Sequence, residues 1–255
     1  MRTQAGLEQC LSFINCQLQP AGKRRSARDG VERRAVTISR QSGAGGHSVA
    51  ERLAAYLDEH APKASCPWTI FDRNLVEKVL EDHHLPKHLA RFMPEDRISE
   101  MADTMDELFG LHPPSWTLVR NTADTILHLA QLGNVILIGR GANIITRRLD
   151  FVFHVRLVRS FDRRVANIQR SEGLSLKAAR DFVRREDRGR KRYVKKYFLK
   201  DVNDPLLYHV VINTDLVPEW EAALMIGEAV VRQEFAAGKP EAPSAGKTPA
   251  SNRAD

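Results

Sequence analysis

Five short stretches of this chain are apolar with almost no interruption, and such stretches have few places to go. They are Ala35-Val36-Thr37-Ile38-Ser39, Trp68 to Phe71, Asn134-Val135-Ile136-Leu137-Ile138, Phe151-Val152-Phe153-His154-Val155 and Tyr208-His209-Val210-Val211-Ile212-Asn213. A strand with one wet face alternates apolar and polar residues; these do not, so both of their faces must be covered. Between them the period changes to that of a helix. Val49, Leu53, Ala54 and Leu57 mark one apolar face, and Leu75, Val76, Val79 and Leu80 a second. Residues 95–132 read as two helical pieces broken at His112-Pro113-Pro114. Helices follow at about 161–171, at 175–199 after Gly173, and at 218–235. This alternation predicts an α/β chain: a central five-stranded parallel sheet between two helical layers, a three-layer α/β/α sandwich.

The two ends read differently. Residues 1–34 contain GKRRSARDGVERR with little apolar periodicity, and 236–255 are rich in Ala, Pro, Ser and Gly. Both are expected to be disordered, which leaves 35–235 of the 255 residues as one folded unit. No stretch approaches the roughly 20 apolar residues of a membrane helix. Cys10, Cys16 and Cys66 lack CxxC spacing. They predict neither a disulfide framework nor a zinc site and fit a reducing cytoplasm.

The loop after the first strand carries the chemistry. Arg40-Gln41-Ser42-Gly43-Ala44-Gly45-Gly46-His47-Ser48 joins a strand to a helix. Backbone N–H groups of such a loop converge with the positive end of the helix dipole, which makes an anion cradle. Against the Walker pattern GxxxxGK[ST], the inner glycines survive, Arg40 replaces the first glycine and Gly46 replaces the lysine. A tight turn without a ligand is the plain alternative. Three other features favour phosphate. Arg140, in Ile138-Gly139-Arg140-Gly141-Ala142, follows a buried strand and should enter the crevice at the strands' carboxyl ends. Arg184-Arg185-Glu186-Asp187-Arg188-Gly189-Arg190 clusters the residue type suited to bidentate phosphate contacts. Asp72 and Arg73 end the second strand.

Together these residues resemble the cytidylate kinase-like family, a branch of the P-loop nucleoside monophosphate kinases. The matching pieces are ISRQSGAGGHSVAERLA (38–54), TIFDRNLVEKV (69–79), VILIGRGA (135–142), HVRLVRSFDRRV (154–165) and KKYFLKDVNDPLLYHVVINTD (195–215), which span nearly the whole folded unit. The resemblance implies a P-loop fold with a helical lid at about 173–200. It implies transfer of the γ-phosphoryl of ATP, with Mg²⁺, to a nucleoside monophosphate, CMP or dCMP by the family's name. The backbone of Ser42, Gly43, Ala44, Gly45, Gly46 and His47 would line the ATP phosphates, and Ser48 would face the metal. Asp72, Arg73, Arg140 and Arg184 would hold the acceptor. Asp187 and Arg190 match the Asp-x-x-Arg pair of the lid, and Arg184 lies one position out of register with the lid's first arginine. Arg40, or a lid arginine, is the candidate for the cation missing at Gly46, because a transferring phosphoryl group needs cationic stabilisation.

Other readings compete. A non-catalytic nucleotide-binding or regulatory protein on the same fold is the main alternative, motivated by the absent lysine. A nucleic-acid module is motivated by the basic stretch but lacks any recognised binding motif. A kinase of another small acceptor also fits. His83, His84 and His88 include an i, i+4 pair that reads as a solvated helix end, and Asp103, Asp106 and Glu107 as a solvated face. Of Arg163 and Arg164, one is expected to face solvent. Tyr193, Tyr197 and Phe198 read as packing, and the run Lys191, Arg192, Lys195, Lys196 as a wet face. Asp215 fits either a turn or a nucleobase loop.

The net charge of +7 is uneven. Residues 140–200 hold 19 Lys and Arg against 6 Asp and Glu, a local +13, so the remainder carries −6. The surplus falls on the candidate acceptor site and lid.

Overall fold

In the computed structural model the described residues are 12–13, 16, 34–61, 66–72 and 117–232. The strands are β1 (Ala35–Arg40), β2 (Thr69–Phe71), β3 (Val135–Ile138), β4 (Val152–Val158) and β5 (Val210–Asn213). They form one sheet in the order β2-β3-β1-β4-β5, and every neighbouring pair is parallel. The helices are α1 (Gly46–His60), α2 (Thr117–Leu132), α3 (Ala142–Ile145), α4 (Phe161–Glu172), α5 (Leu176–Phe198) and α6 (Glu219–Arg232). The expected α/β sandwich is therefore present.

Both sheet faces are buried over β1, β3 and most of β4, as their unbroken apolar runs require. The run at β5 departs from that expectation, since β5 is an edge strand in which only Ile212 is buried and Val211 is 42% exposed. Val36, Ile38, Ile136, Ile138, Val155 and Leu157 pack with α1 and α6. Ala35, Val135, Leu137 and Val152 face the other way, into a core shared with α2 and α3. On the first side α6 lies so close to α1 that a Cβ added at Gly227 would come within 2.2 Å of the Tyr56 ring. The chain leaves β1 toward β2 and leaves β4 toward β5, so the crossovers diverge between β1 and β4. Ligands bind open α/β sheets at such a switch point, at the strands' carboxyl ends. The glycine-rich loop sits there because it follows β1 directly.

Boundaries shift where side chains compete with the ladder. β4 runs on to Val158, because Ser39 and Arg40 of β1 pair with Arg156 and Leu157. β5 starts at Val210 because Asp204 caps a short 3₁₀ turn at Pro205–Leu207, accepting from the Leu206 N–H at 3.0 Å. The expected helix at 75–80, the break at 112–114, Arg73, the histidine cluster and Asp103 to Glu107 lie outside the described residues.

One expectation is overturned. Cys16 and Cys66 form a disulfide, with Cα atoms 6.0 Å apart. They lie 50 positions apart in sequence, so spacing alone could not pair them. Beside the bond, Phe13 is fully buried and meets Phe71 edge-on at 5.6 Å. An apolar anchor thus sits inside the 1–34 stretch that composition marked as disordered.

His154, buried on β4, stacks against His209, which lies exposed just before β5. The rings stack with centroids 5.0 Å apart, His154 Nδ1 lies 2.8 Å from Thr37 Oγ1, and the His154 N–H donates to His209 Nδ1 at 2.8 Å. Burial, with His209 alongside, pushes the His154 imidazole down to about 3. An unfolded histidine titrates near 6.5. The folded chain therefore binds fewer protons between those values, and stability, complete above pH 6.5, falls as pH drops toward 3. Denaturant unfolding is expected to show a loss of about 2 kcal/mol from pH 7 to pH 5 on account of His154. His154→Leu should shrink that difference, and equal losses in both chains would exclude His154 as its source.

Candidate active site

The loop between β1 and α1 is made of small residues because it turns sharply beside other backbone. Gly43 and Gly45 have φ of 80° and 82°. A Cβ at Gly43 would lie 2.5 Å from the backbone oxygen of Arg164, and one at Gly45 would lie 2.3 Å from Glu219 Oε1. Helix α1 then begins with no side-chain cap and no acidic residue in its first turn. Its dipole points into the loop with no acid of its own first turn to offset it, which favours an anion there. Ser48 is the third residue of α1 and half-exposed. A Mg²⁺ ion that arrives on nucleotide oxygens needs only one or two protein donors, so that hydroxyl suits the task. His47 is exposed and turns along the helix toward Glu51, with Nε2 to Oε1 at 3.6 Å.

Arg40 leaves the end of β1 and crosses the place where the pattern lacks a lysine. Its Cγ would lie 3.0 Å from a Cβ at Gly46, and its Nη1 2.1 Å from one at Gly139. The stem therefore fills the volume a residue-46 side chain would need. Burial first, and then the neighbouring charge of Arg190, lowers its guanidinium to about 10. Asp72 and Glu186 act in the opposite sense.

Arg140 is presented by three consecutive residues at positive φ: Gly139 at 84°, Arg140 at 55° and Gly141 at 72°. A non-glycine residue there costs roughly 1–2 kcal/mol, a strain of the kind held at functional sites. Phe198 packs against Gly141, where a Cβ would come within 2.6 Å of its ring. The Arg140 guanidinium lies 5.8 Å from the centre of the Tyr193 ring.

These residues line one cleft of about 570 Å³, with Arg40, Asp72, Arg140, Glu186, Arg190 and Tyr193 on its walls. Three guanidinium groups against two carboxylates leave it positive. Behind Ser39 and Tyr208 of its wall stands a residue the sequence reading passed over. Arg156, buried on β4, donates to Ser39 Oγ at 2.9 Å and to Asn203 Oδ1 at 2.8 Å, with its guanidinium 5.6 Å from the Tyr208 ring centre. A charged residue inside an otherwise apolar strand was the available signal.

Asp187 of α5 reaches the loop itself. Its Oδ1 accepts from the Ser42 N–H at 2.8 Å and from Arg190 at 3.2 Å, and its Oδ2 accepts from Arg164 at 2.5 Å. Arg164 is buried and Arg163 is exposed, matching the expectation that one of the pair faces solvent. Arg184 does not join the cleft. It stands over the Phe161 ring at 5.2 Å, near Arg164 and Asp187. Helical periodicity also divides the basic run: Glu186, Arg190 and Tyr193 face the cleft, while Arg185, Arg188, Lys191, Arg192 and Lys195 line a shallow outer groove. Asp215 ties two turns together. It accepts from the Ser160 N–H at 2.8 Å and from Arg159 at 3.3 Å. Ser160 first, and then Arg163 and Arg159, hold its carboxyl below the usual range.

Among the described residues no group of three or more His, Cys, Asp or Glu could hold a metal, and no helix is long and apolar enough to cross a membrane. No curated protein matches the chain. Among solved structures, an uncharacterized protein from Eubacterium ventriosum ATCC 27560 is 20% identical over 78% of this chain and 98% of that one, with a TM-score of 0.60. TT1252 from Thermus thermophilus is 13% identical over 80% and 98%, with a TM-score of 0.38. At 20% identity the first likeness shows a shared fold. The model of the cytidylate kinase-like family matches residues 35–216, from the first residue of β1 past the end of β5, and on that match the chain belongs to the cytidylate kinase-like family.

Proposed function

We propose that this protein transfers the γ-phosphoryl group of ATP to a nucleoside monophosphate. A phosphate oxygen of the acceptor attacks the γ-phosphorus, the bond to the bridging oxygen breaks, and ADP leaves. CMP and dCMP are the first acceptors to test, because the family is named for cytidylate. The observation that carries this reading is the cleft: Arg40, Arg140 and Arg190 line one space at the carboxyl ends of β1 and β3, and Arg40 is the residue from which the glycine-rich loop starts. Clustered guanidinium groups repel one another, and an anionic acceptor relieves that repulsion. The loop from Ser42 to His47 would cradle the ATP phosphates through those of its amides that are not already bonded, Ser48 would take the Mg²⁺, and Asp72 and Arg140 the acceptor. The 173–200 segment would act as a lid, with Asp187 and Arg190 closing over the phosphates.

One observation favours the second reading, a nucleotide-binding protein without catalysis. The Asp187 carboxylate already occupies the Ser42 amide, and Gly46 supplies no cation of its own. A coupled assay of Mg-ATP with a panel of nucleoside monophosphates and simple alcohols separates the two. The kinase reading expects diphosphate product with at least one monophosphate. Nucleotide-dependent thermal stabilisation without product would establish the binder. Arg140→Ala should raise the acceptor KM about 10- to 100-fold, the worth of a charged hydrogen bond. Full activity in that variant would remove Arg140 from the acceptor site.

A further inference from the structure

Three consecutive carbonyls of the glycine-rich loop are held from behind, each by a different side chain. Arg164 Nη1 donates to Ser42 O at 3.2 Å, Asn167 Nδ2 to Gly43 O at 3.0 Å, and Thr214 Oγ1 to Ala44 O at 3.1 Å. The next carbonyl, Gly45 O, accepts from the Val49 N–H at 2.9 Å as α1 begins.

A trans peptide carries its C=O and the following N–H on opposite sides. A carbonyl drawn backward therefore turns the next amide forward. The amides so turned belong to Gly43, Ala44, Gly45 and Gly46. That of Ala44 is used inside the loop, on Gln41 O at 3.2 Å. Those of Gly43, Gly45 and Gly46 donate to no group among the described residues.

The loop cannot choose this arrangement by itself. Glycine enters left- and right-handed conformations about equally readily, so the isolated segment has many peptide orientations of similar energy. The choice is imposed from two other elements. Arg164 and Asn167 are three residues apart on α4 and so share a face. Thr214 follows β5 and is buried.

We propose that Arg164, Asn167 and Thr214 form a clamp on the loop backbone, positioning residues that preset its amides to receive a polyphosphate. The proposal rests on reading this loop as the ATP phosphate site. Donors already turned toward the ligand need no ordering when it binds, and preorganisation of this kind raises affinity. None of the three touches the ligand in this role. Arg164 also holds Asp187 and the Arg159 carbonyl, so its removal would disturb several contacts at once. Asn167 and Thr214 isolate the effect.

Calorimetric titration with Mg-ATP and with inorganic tripolyphosphate, on wild type, Asn167→Leu, Thr214→Val and Thr214→Ser, tests the clamp. Leucine and valine nearly keep the shape and remove the donor. Each is expected to weaken both ligands by the same factor, about five- to tenfold, the worth of one hydrogen bond. Thr214→Ser restores the hydroxyl and should bind as wild type does. In turnover, KM for ATP should rise while KM for the acceptor stays. The two variants lie on different elements, so if one does not fold the other decides. Unchanged affinity in the variants, with wild type binding both ligands, overturns the clamp. So does a loss for ATP without one for tripolyphosphate, since Thr214 would then act on the nucleoside. A wild-type chain that binds neither ligand overturns the ATP reading, and the clamp with it.

Discussion

Arg40→Met is expected to lower kcat by about 10²–10³, the usual loss when one preorganised stabilising group is removed from a transition state. Methionine keeps an apolar stem against Gly46, so the loss isolates the guanidinium. The expectation follows from where the stem lies. Its Cγ would be 3.0 Å from a Cβ at Gly46, in the volume that a lysine at 46 would enter. The guanidinium then reaches the neighbourhood of Gly139, Asp72, Glu186 and Arg190. A cation from the end of β1 would thus do what a cation from the start of α1 does in the Walker pattern. Steady-state rates with saturating ATP and acceptor measure the loss, and unchanged turnover would exclude Arg40. The exchange can also be run in reverse. Arg40→Ala combined with Gly46→Lys frees the volume and supplies a lysine, so it should recover part of the rate lost in Arg40→Ala. Gly46 has no positive φ that would forbid the change.

Gly43→Ala should be the most damaging single change in the loop. The new Cβ would stand 2.5 Å from the Arg164 carbonyl oxygen and 3.0 Å from its Cα. These are backbone atoms of a packed helix and cannot swing aside as a flexible side chain can. The φ of 80° adds a second obstacle for any residue with a Cβ. Together the strain and overpacking are worth about 3 kcal/mol, which the loop can relieve only by leaving its seat on α4. Loss of nucleotide-induced thermal stabilisation, with a lowered melting temperature, is the expected pair of results. A Gly43→Ala protein that melts and binds ATP as wild type does would refute this account of the loop. Gly46→Ala is the control. It meets only the Arg40 stem, at 3.0–3.5 Å, and should be milder.

The sheet was legible because burial on both faces leaves a one-dimensional trace. A run such as Val135 to Ile138 has no polar position to spare, and all four residues are buried. The glycine-rich loop was legible for a related reason: glycines at Gly43 and Gly45 mark a backbone that needs positive φ. The residues behind the loop left no such trace. Asn167 and Thr214 are ordinary polar residues, and nothing in their neighbours says that one will meet Gly43 O and the other Ala44 O. Contacts across 124 and 170 positions exist only after the sheet has closed. Cys16 and Cys66 were misread in the same way, as a pair with no informative spacing.

The basic stretch shows both limits together. Composition located a local +13 in residues 140–200 but could not divide it. The period of α5 turns Arg190 into the cleft and Arg185, Arg188 and Lys195 outward, while Arg184 moves onto Phe161.

By itself, then, the sequence determined the layers, the loop and the cations available, since each depends on local pattern: unbroken apolar runs, glycines at a turn, and charge along a helix. The tertiary structure decided which cations share the cleft, which acid sits on the loop amide and which side chains brace the loop from behind. Those outcomes depend on strand order. Placing β1 between β3 and β4 brings the ends of three strands within reach of one another, and no local pattern encodes that adjacency.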